Sequence, residues 1–361
     1  MTEDKNLTIN DIADELGVSK TTVSRAISGK GRIGEETRNR VLQYIEEHNY
    51  RPNVIAKGLA QSRTYNIGLV IPGDYNIVEL PFFQNCMLGI SKIASSMDYD
   101  VLVSIVTTDD ISRLQRVVVN HKVDGFILTR TLIKDVPAEY LKETGIPFVV
   151  IGSTEDESVV RIDNDHQSAC RELTNRLIEQ GMERIALIGG NRNHMVNRHR
   201  VQGFLDACQR LKGKEVPVGK VERKALSTIE FECPLKRTDG CKYVFLDVED
   251  MEMVEKIIEK LLKEKIQCII STDDHLCSCV LNILQQKKIK VPEQIKVASF
   301  YDSSFLENYT PSVTSIQFDI EELGKMTCRT LLAMIDGKDV PEQSLLGYQI
   351  SMRESTKEVK R

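Results

Sequence analysis

From residue 65 onward the sequence alternates short apolar runs with amphipathic helical stretches, and this alternation constrains the fold more than any other feature. The apolar runs fall at 67–71, 101–106, 126–128, 148–151, 185–188, 268–270 and 297–300, with helical periodicity over 82–97, 167–180 and 252–263 among the stretches between them. Strands this continuously apolar are buried on both faces, so they belong in parallel sheets covered by helices. The length of the stretch implies two such sheets, and open sheets of this kind take ligands at the carboxyl ends of their strands. The expectation is a two-lobed α/β body with a ligand cleft.

The residues before this body follow a helical pattern instead. Thr8 with Asp11 three positions on is a capping-box-like start, and Ile9, Ile12, Ala13 and Leu16 form one apolar face that Gly17 ends. Ser19 can cap a second short helix in which Val23, Ala26 and Ile27 face inward while Lys20, Thr21 and Arg25 face out. Two short helices around a Gly-containing turn make a helix-turn-helix. A third helix is expected over 35–48, with Val41, Leu42 and Ile45 on its buried side. Gly29, Gly31 and Gly34 match the G-x-G-x-x-G expression of dinucleotide-binding folds. That motif requires a preceding strand, and here a helix precedes it, so these glycines make a turn.

Charge separates the two parts. The chain carries a net charge of −5, yet residues 20–63 hold nine Lys/Arg against four Glu, a net of +5. A basic amino-terminal surface on an acidic body is expected if only the former meets phosphates. The 361 residues, with 41% hydrophobic and 28% charged, exclude a mainly disordered chain and leave room for two or three folded units. No apolar stretch is long enough to span a bilayer and no secretory signal is apparent, so no membrane association and a cytoplasmic location are expected. Nine scattered cysteines contain no C-x-x-C pair and read as core thiols. His194 and His199 are five apart and no H-E-x-x-H occurs, so neither metal nor cofactor is expected.

The run from Leu7 to Ser28, with its Gly17-Val18-Ser19 and Thr22-Val23-Ser24-Arg25 core, then Tyr50-Arg51-Pro52-Asn53 and Ala56-Lys57-Gly58-Leu59-Ala60, closely resembles the LacI/GalR family of bacterial transcription regulators. The resemblance continues through Asp124-Gly125-Phe126, Ile162-Asp163-Asn164, Arg200 with Gly203-Phe204, Asp302, Pro311 with Val313-Thr314, and the closing Arg353-Glu354-Ser355-Thr356. It implies a helix-turn-helix domain over residues 1–62, including a hinge helix at about 53–61, and a periplasmic-binding-protein-like core of doubly wound sheets over 63–361. In that family the second helix enters the major groove, which matches the outward Lys20, Thr21 and Arg25. The resemblance extends the expected DNA contacts to Ser19, Thr22, Arg32, Asn53, Ala56 and Leu59. Leu59 is either a wedge between base pairs in the minor groove or a packing residue between hinge helices. Gly58 within that short helix costs about 1 kcal/mol relative to Ala.

Carried over residue by residue, the effector site is expected at Phe82, Phe83, Arg200, Asp273 and Asp302, a set that suits the vicinal hydroxyls of a sugar. One of Phe82 and Phe83 is expected to pack in the core. Arg200 and Asp302, expected on opposite lobes or strand ends, either grip the effector or form a structural ion pair. Arg130, Arg192 and Arg198 leave a phosphorylated effector open. Residues 222–247 depart from the family pattern, as do Thr272-Asp273-Asp274, Cys277 and Cys279. The implied function is a homodimeric, sugar-responsive repressor of carbohydrate-utilisation genes on a pseudo-palindromic double-stranded operator. Its rivals are a carbon-catabolite regulator with a phosphorylated carrier protein as co-ligand, an exported sugar-binding protein, and an α/β enzyme. The last lacks a nucleophile elbow, a P-loop and any catalytic constellation.

Overall fold

The structure, a computed structural model, describes residues 7–28, 31–48, 50, 58, 61–74, 81–209, 231–232 and 242–358. It divides into two compact units, Met1–Tyr65 and Asn66–Arg361.

In the first unit, α1 (Ile9–Leu16) begins with the expected box: Asp11 N donates to Thr8 Oγ1 at 3.3 Å while the Asp11 carboxylate accepts from Thr8 N at 2.8 Å. Gly17 ends the helix in the left-handed region at φ 63°, where a side chain would be strained. The turn leads into α2 (Lys20–Ser28), and α3 (Glu35–Glu47) follows. Ile12, Ala13, Val23, Ala26 and Val41 form the buried centre, with Ile9, Leu16, Ile27, Tyr44 and Ile45 packed around it. Leu42 corrects the expectation: it is 43% exposed, because Val41, Tyr44 and Ile45 already define the inward stripe and residue 42 is turned about 100° from Val41. Arg40 lies with the basic residues in sequence, but its Nη2 donates to the Leu16 carbonyl at 3.1 Å and ties α3 to the end of α1.

Most of the expected hinge, including Asn53, Ala56 and Leu59, lies outside the described residues. Gly58 is described, and its glycine has a local reason: a Cβ there would sit 2.4 Å from the Arg63 carbonyl oxygen. An alanine at this position would meet backbone before it gained helix propensity.

The second unit holds two sheets. The first, in the order β12-β5-β4-β3-β1-β2, is parallel throughout: β1 (Asn66–Pro72), β2 (Asp100–Val106), β3 (Gly125–Leu128), β4 (Phe148–Ile151), β5 (Arg161–Asn164) and β12 (Gln343–Leu346). The second runs β13-β11-β10-β9-β6-β8-β7 and comprises β6 (Ile185–Ile188), β7 (Phe231–Glu232), β8 (Lys242–Phe245), β9 (Cys268–Ser271), β10 (Lys296–Ser299), β11 (Thr314–Phe318) and β13 (Tyr348–Ser351). Only its two outer strands, β7 and β13, are antiparallel.

The helices of this unit are α4 (Pro81–Ser96), α5 (Ser112–Val119), α6 (Val136–Thr144), α7 (His166–Glu179), α8 (Met195–Gln209), α9 (Met251–Lys263), α10 (Asp274–Gln286), α11 (Ser304–Asn308) and α12 (Ile320–Ile335). The chain passes between lobes after β5, after β11 and between β12 and β13. Close helix contacts rest on glycine. A Cβ at Gly89 of α4 would lie 2.1 Å from the Glu321 carbonyl oxygen of α12, and one at Gly203 of α8 would lie 2.3 Å from that of Gln167 in α7. Phe204, next to Gly203, is fully buried. The Arg200-x-x-Gly-Phe spacing therefore places an arginine one turn of α8 before an adjacent helix contact and core ring.

All seven described cysteines are buried, consistent with core thiols. No described helix is long and apolar enough to cross a membrane, and the described residues contain no group of three or more His, Cys, Asp or Glu able to hold a metal.

Candidate functional site

On the first unit, Ser19, Lys20, Thr21 and Arg25 are exposed and Thr22 is half-buried. Ser19 Oγ accepts from Thr22 N at 3.1 Å and meets Thr22 Oγ1 at 2.8 Å, so both hydroxyls are engaged in starting α2. Lys20, Thr21 and Arg25 stand outward on the helix that a major groove would admit. Arg25 lays its stem over Gly31, where a Cβ would be 3.0 Å from Arg25 Cδ, and exposed Arg32 follows. The loop glycine thus gives the arginine its course.

In the second unit the polar residues gather at strand ends and helix starts. Phe83 is 8% exposed and packs inward, whereas Phe82, half-buried at the start of α4, meets the Tyr301 ring of the other lobe edge-on at 6.5 Å. Asp273 caps α10: its Oδ1 accepts from Leu276 N at 2.9 Å and its Oδ2 from Thr272 Oγ1 at 3.0 Å.

Arg200 and Asp302 do not pair, and both belong to the lobe of the second sheet. Asp302 instead receives both arms of Arg353, at 2.8 and 2.7 Å, while Arg353 also donates to the Val313 carbonyl at 2.9 Å and Ser315 Oγ at 2.7 Å. Burial pushes the Asp302 carboxyl upward, but the hydrogen bonds from Arg353 and its neighbours outweigh this and hold it below the usual range. The physical reason for the difference from expectation is that the closing Arg353 segment lies nearer and offers a bidentate fork.

Arg200 is 8% exposed and its Nε has no hydrogen-bond partner. Around it the sequence reading missed three neighbours. Asp163 and Asn164 end β5, and His166 starts α7 at the first crossing between lobes; they are 3%, 1% and 5% exposed. Asp163 accepts from Ser153 Oγ at 2.8 Å, and its Oδ1 lies 3.5 Å from His166 Nε2. Burial, against these hydrogen bonds and the charge of Arg200, pushes the Asp163 carboxyl up to about 6. Burial, reinforced by Arg200 and His199, holds His166 well below the usual histidine range and so neutral. Both side-chain atoms of Asn164 and the Nδ1 of His166 lack partners. The signal available in sequence was Ile162-Asp163-Asn164, which had been given no role.

A second group adjoins these. Burial, then the charges of Arg130 and Arg200, lowers His194 to about 4. Backbone bonds join the lobes here, Ile133 N to the Asn193 carbonyl at 2.9 Å and Met195 N to that of Thr131 at 3.2 Å.

Three family models match the chain: bacterial regulatory proteins of the lacI family over residues 8–53, periplasmic binding proteins and sugar binding domain of the LacI family over 64–226, and a periplasmic binding protein-like domain over 174–356. The chain belongs to the LacI family. MalR, an HTH-type transcriptional regulator of Streptococcus pneumoniae, is 29% identical over 358 residues, covering 95% of this chain and 98% of its own. Among solved structures, a CelR–cellobiose complex matches with a TM-score of 0.67 at 25% identity, over 97% of this chain and 99% of that one. The lac repressor dimer bound to operator matches with a TM-score of 0.71 at 21% identity over 98% and 99%, a likeness of fold. This LacI-family chain is accordingly a DNA-binding, sugar-responsive transcriptional regulator rather than an enzyme.

Proposed function

We propose that the protein is a homodimeric repressor of carbohydrate-utilisation genes, acting in the bacterial cytoplasm on a pseudo-palindromic operator and controlled by a small sugar held between its lobes. The observation that carries the effector reading is the buried Arg200, Asn164 and His166 group, in which Arg200 Nε, both side-chain atoms of Asn164 and His166 Nδ1 have no protein partner. Such atoms cost about 1–3 kcal/mol each unless water or a ligand meets them. A sugar that meets them in one arrangement of the lobes, and meets them less well in another, shifts the equilibrium by its differential affinity alone. Lys20, Thr21 and Arg25 supply the base-reading surface. A second copy of the chain fits the apolar side chains left exposed at the edge strand β2 and nearby helices, Val103 at 45%, Leu88 at 52% and, on the other lobe, Phe305 at 48%.

Fluorescence anisotropy on operator DNA, with and without a panel of mono- and disaccharides including cellobiose and maltose, tests the reading. One or more sugars should change operator affinity with reciprocal linkage. No response to any sugar, with operator binding intact, would overturn it. Sedimentation of the wild type and of Leu88→Asp and Phe305→Asp tests the dimer, which these charges should dissociate.

A further inference from the structure

The described glycines of the first unit are required for different reasons, and one of them bears on how DNA is read. Gly17 is left-handed at φ 63°, but a Cβ there would meet nothing within 4 Å. Gly34 has an ordinary φ of −62°, and its nearest contact would be Thr37 Oγ1 at 3.9 Å. Gly58 is closed off by backbone, the Arg63 carbonyl oxygen at 2.4 Å. Gly31 is left-handed at φ 87°, and what crowds it is a side chain: a Cβ would lie 3.0 Å from Arg25 Cδ, 3.2 Å from its Nε and 3.4 Å from its Cγ.

Consecutive atoms of one stem so close to a single point place that stem lengthwise across the glycine. Arg25 stands in the last turn of α2, and Gly31 follows shortly after the helix ends at Ser28. An exposed arginine ordinarily samples many rotamers and must give up that freedom to meet a base edge with its planar fork. A stem already laid against the loop loses less on binding and presents the fork in one direction. Bidentate reading depends on that direction, since two donors must reach two acceptors of the same base.

We propose that Gly31 is a specificity-determining residue of this chain: having no side chain, it lets Arg25 lie across the loop and so fixes which base pair of the operator the guanidinium reads. The inference rests on the reading of α2 as the helix that enters the major groove. A side chain at 31 would meet a flexible stem rather than backbone, so the arginine gives way and its fork is re-aimed, while α2 stays packed through Val23 and Ala26 against Ile12 and Val41. The consequence falls on the base pair that Arg25 reads. Non-specific affinity comes from cations facing phosphates, and no charge is lost.

The test is in vitro selection from a random duplex pool with full-length wild type, Arg25→Ala, Gly31→Ala, Gly31→Asn and the double variant Arg25→Ala with Gly31→Asn, followed by anisotropy on the selected duplexes at fixed salt. Asn tolerates a left-handed backbone better than Ala, so agreement between the two substitutions separates the re-aimed arginine from backbone strain, which thermal melts score. Arg25→Ala should lose the preference at the base pair it reads. Both Gly31 variants should weaken discrimination at that same pair by about tenfold, keep the other positions and the affinity for scrambled DNA within about twofold, and add nothing once Arg25 is alanine. Full preference at that pair in Gly31→Asn, or an effect of Gly31→Asn that persists in the Arg25→Ala background, would overturn the proposal and leave Arg25 as a reader. An unchanged preference in Arg25→Ala would remove the base-reading role of that arginine and the proposal together.

Discussion

Two arginines in the same lobe, one buried and one half-buried, have opposite surroundings. Arg353 is well supplied, with a carboxylate fork, a carbonyl and a hydroxyl at 2.7–2.9 Å, while Arg200, the more deeply buried, has an Nε that touches no acceptor. A saturated polar cluster fixes structure and has nothing left to offer a ligand. An unsatisfied one carries a cost that a ligand can remove. Arg353 and Asp302 hold the closing segment against β10 and β11, whereas Arg200 with Asn164 and His166 is the group we propose for recognition.

The largest expected effect breaks the saturated side. Arg353→Met leaves Asp302, 9% exposed, without its cation and should cost about 3–5 kcal/mol of unfolding free energy. Urea unfolding measures it, and a loss under about 1 kcal/mol would show that the pair is not the structural member of the contrast. Arg200→Ala should do the reverse. Its expected loss of about 2–4 kcal/mol falls on effector affinity, roughly 30- to 700-fold by calorimetry, with apo stability little changed. A large apo loss with normal affinity would make the two arginines alike and end the distinction.

Next in size is a pH effect at Asp163. Its carboxyl is raised to about 6 in the folded chain, so between about 4 and 6 the native state holds the proton more tightly than the unfolded state. Stability from this group is therefore present at low pH, falls as pH rises through that window, and is level above it. Asp163→Asn carries no such proton and should gain on wild type by up to about 3 kcal/mol from pH 4 to pH 7.5. The lowered His194 acts with the opposite sign, destabilising as pH drops below about 6.5, but it is common to both proteins and cancels in the difference. Parallel urea titrations at the two pH values decide it; a pH-independent difference would mean that Asp163 is ionised throughout.

How much of this was legible follows the same division. Strands such as 67–71 and 148–151 were readable because burial on both faces leaves an unbroken apolar run. β5 was not, since Arg161-Ile-Asp-Asn carries one apolar residue and ends in two buried polar ones. β12 and β13 were obscured by alternating exposure at sheet edges. The start of α1 was readable because a capping box is local, three residues apart. The partner of Asp302 was not, because Arg353 is 51 residues away and only the fold brings it there. Tyr301 was passed over for its acidic neighbour although its ring, not the carboxylate, faces Phe82.

The smallest expected effect sharpens the comparison between the two units themselves. Arg25 is exposed on α2, and its stem runs over Gly31. Arg25→Ala should therefore leave the packing of Ile12, Val23 and Val41 intact and cost about 1–3 kcal/mol of operator affinity, most of it in discrimination against random DNA. Arg40→Ala provides the internal control, since Arg40 spends its guanidinium on the Leu16 carbonyl at 3.1 Å and should lower the stability of the unit more than its base discrimination. Sugar affinity should be unchanged in both, because each residue lies in the first compact unit and the Arg200 group in the second. Anisotropy at fixed salt on operator and scrambled duplexes, read beside thermal melts, separates the two arginines. Equal discrimination by wild type and Arg25→Ala would remove Arg25 from base readout and leave Lys20 and Thr21 to carry it.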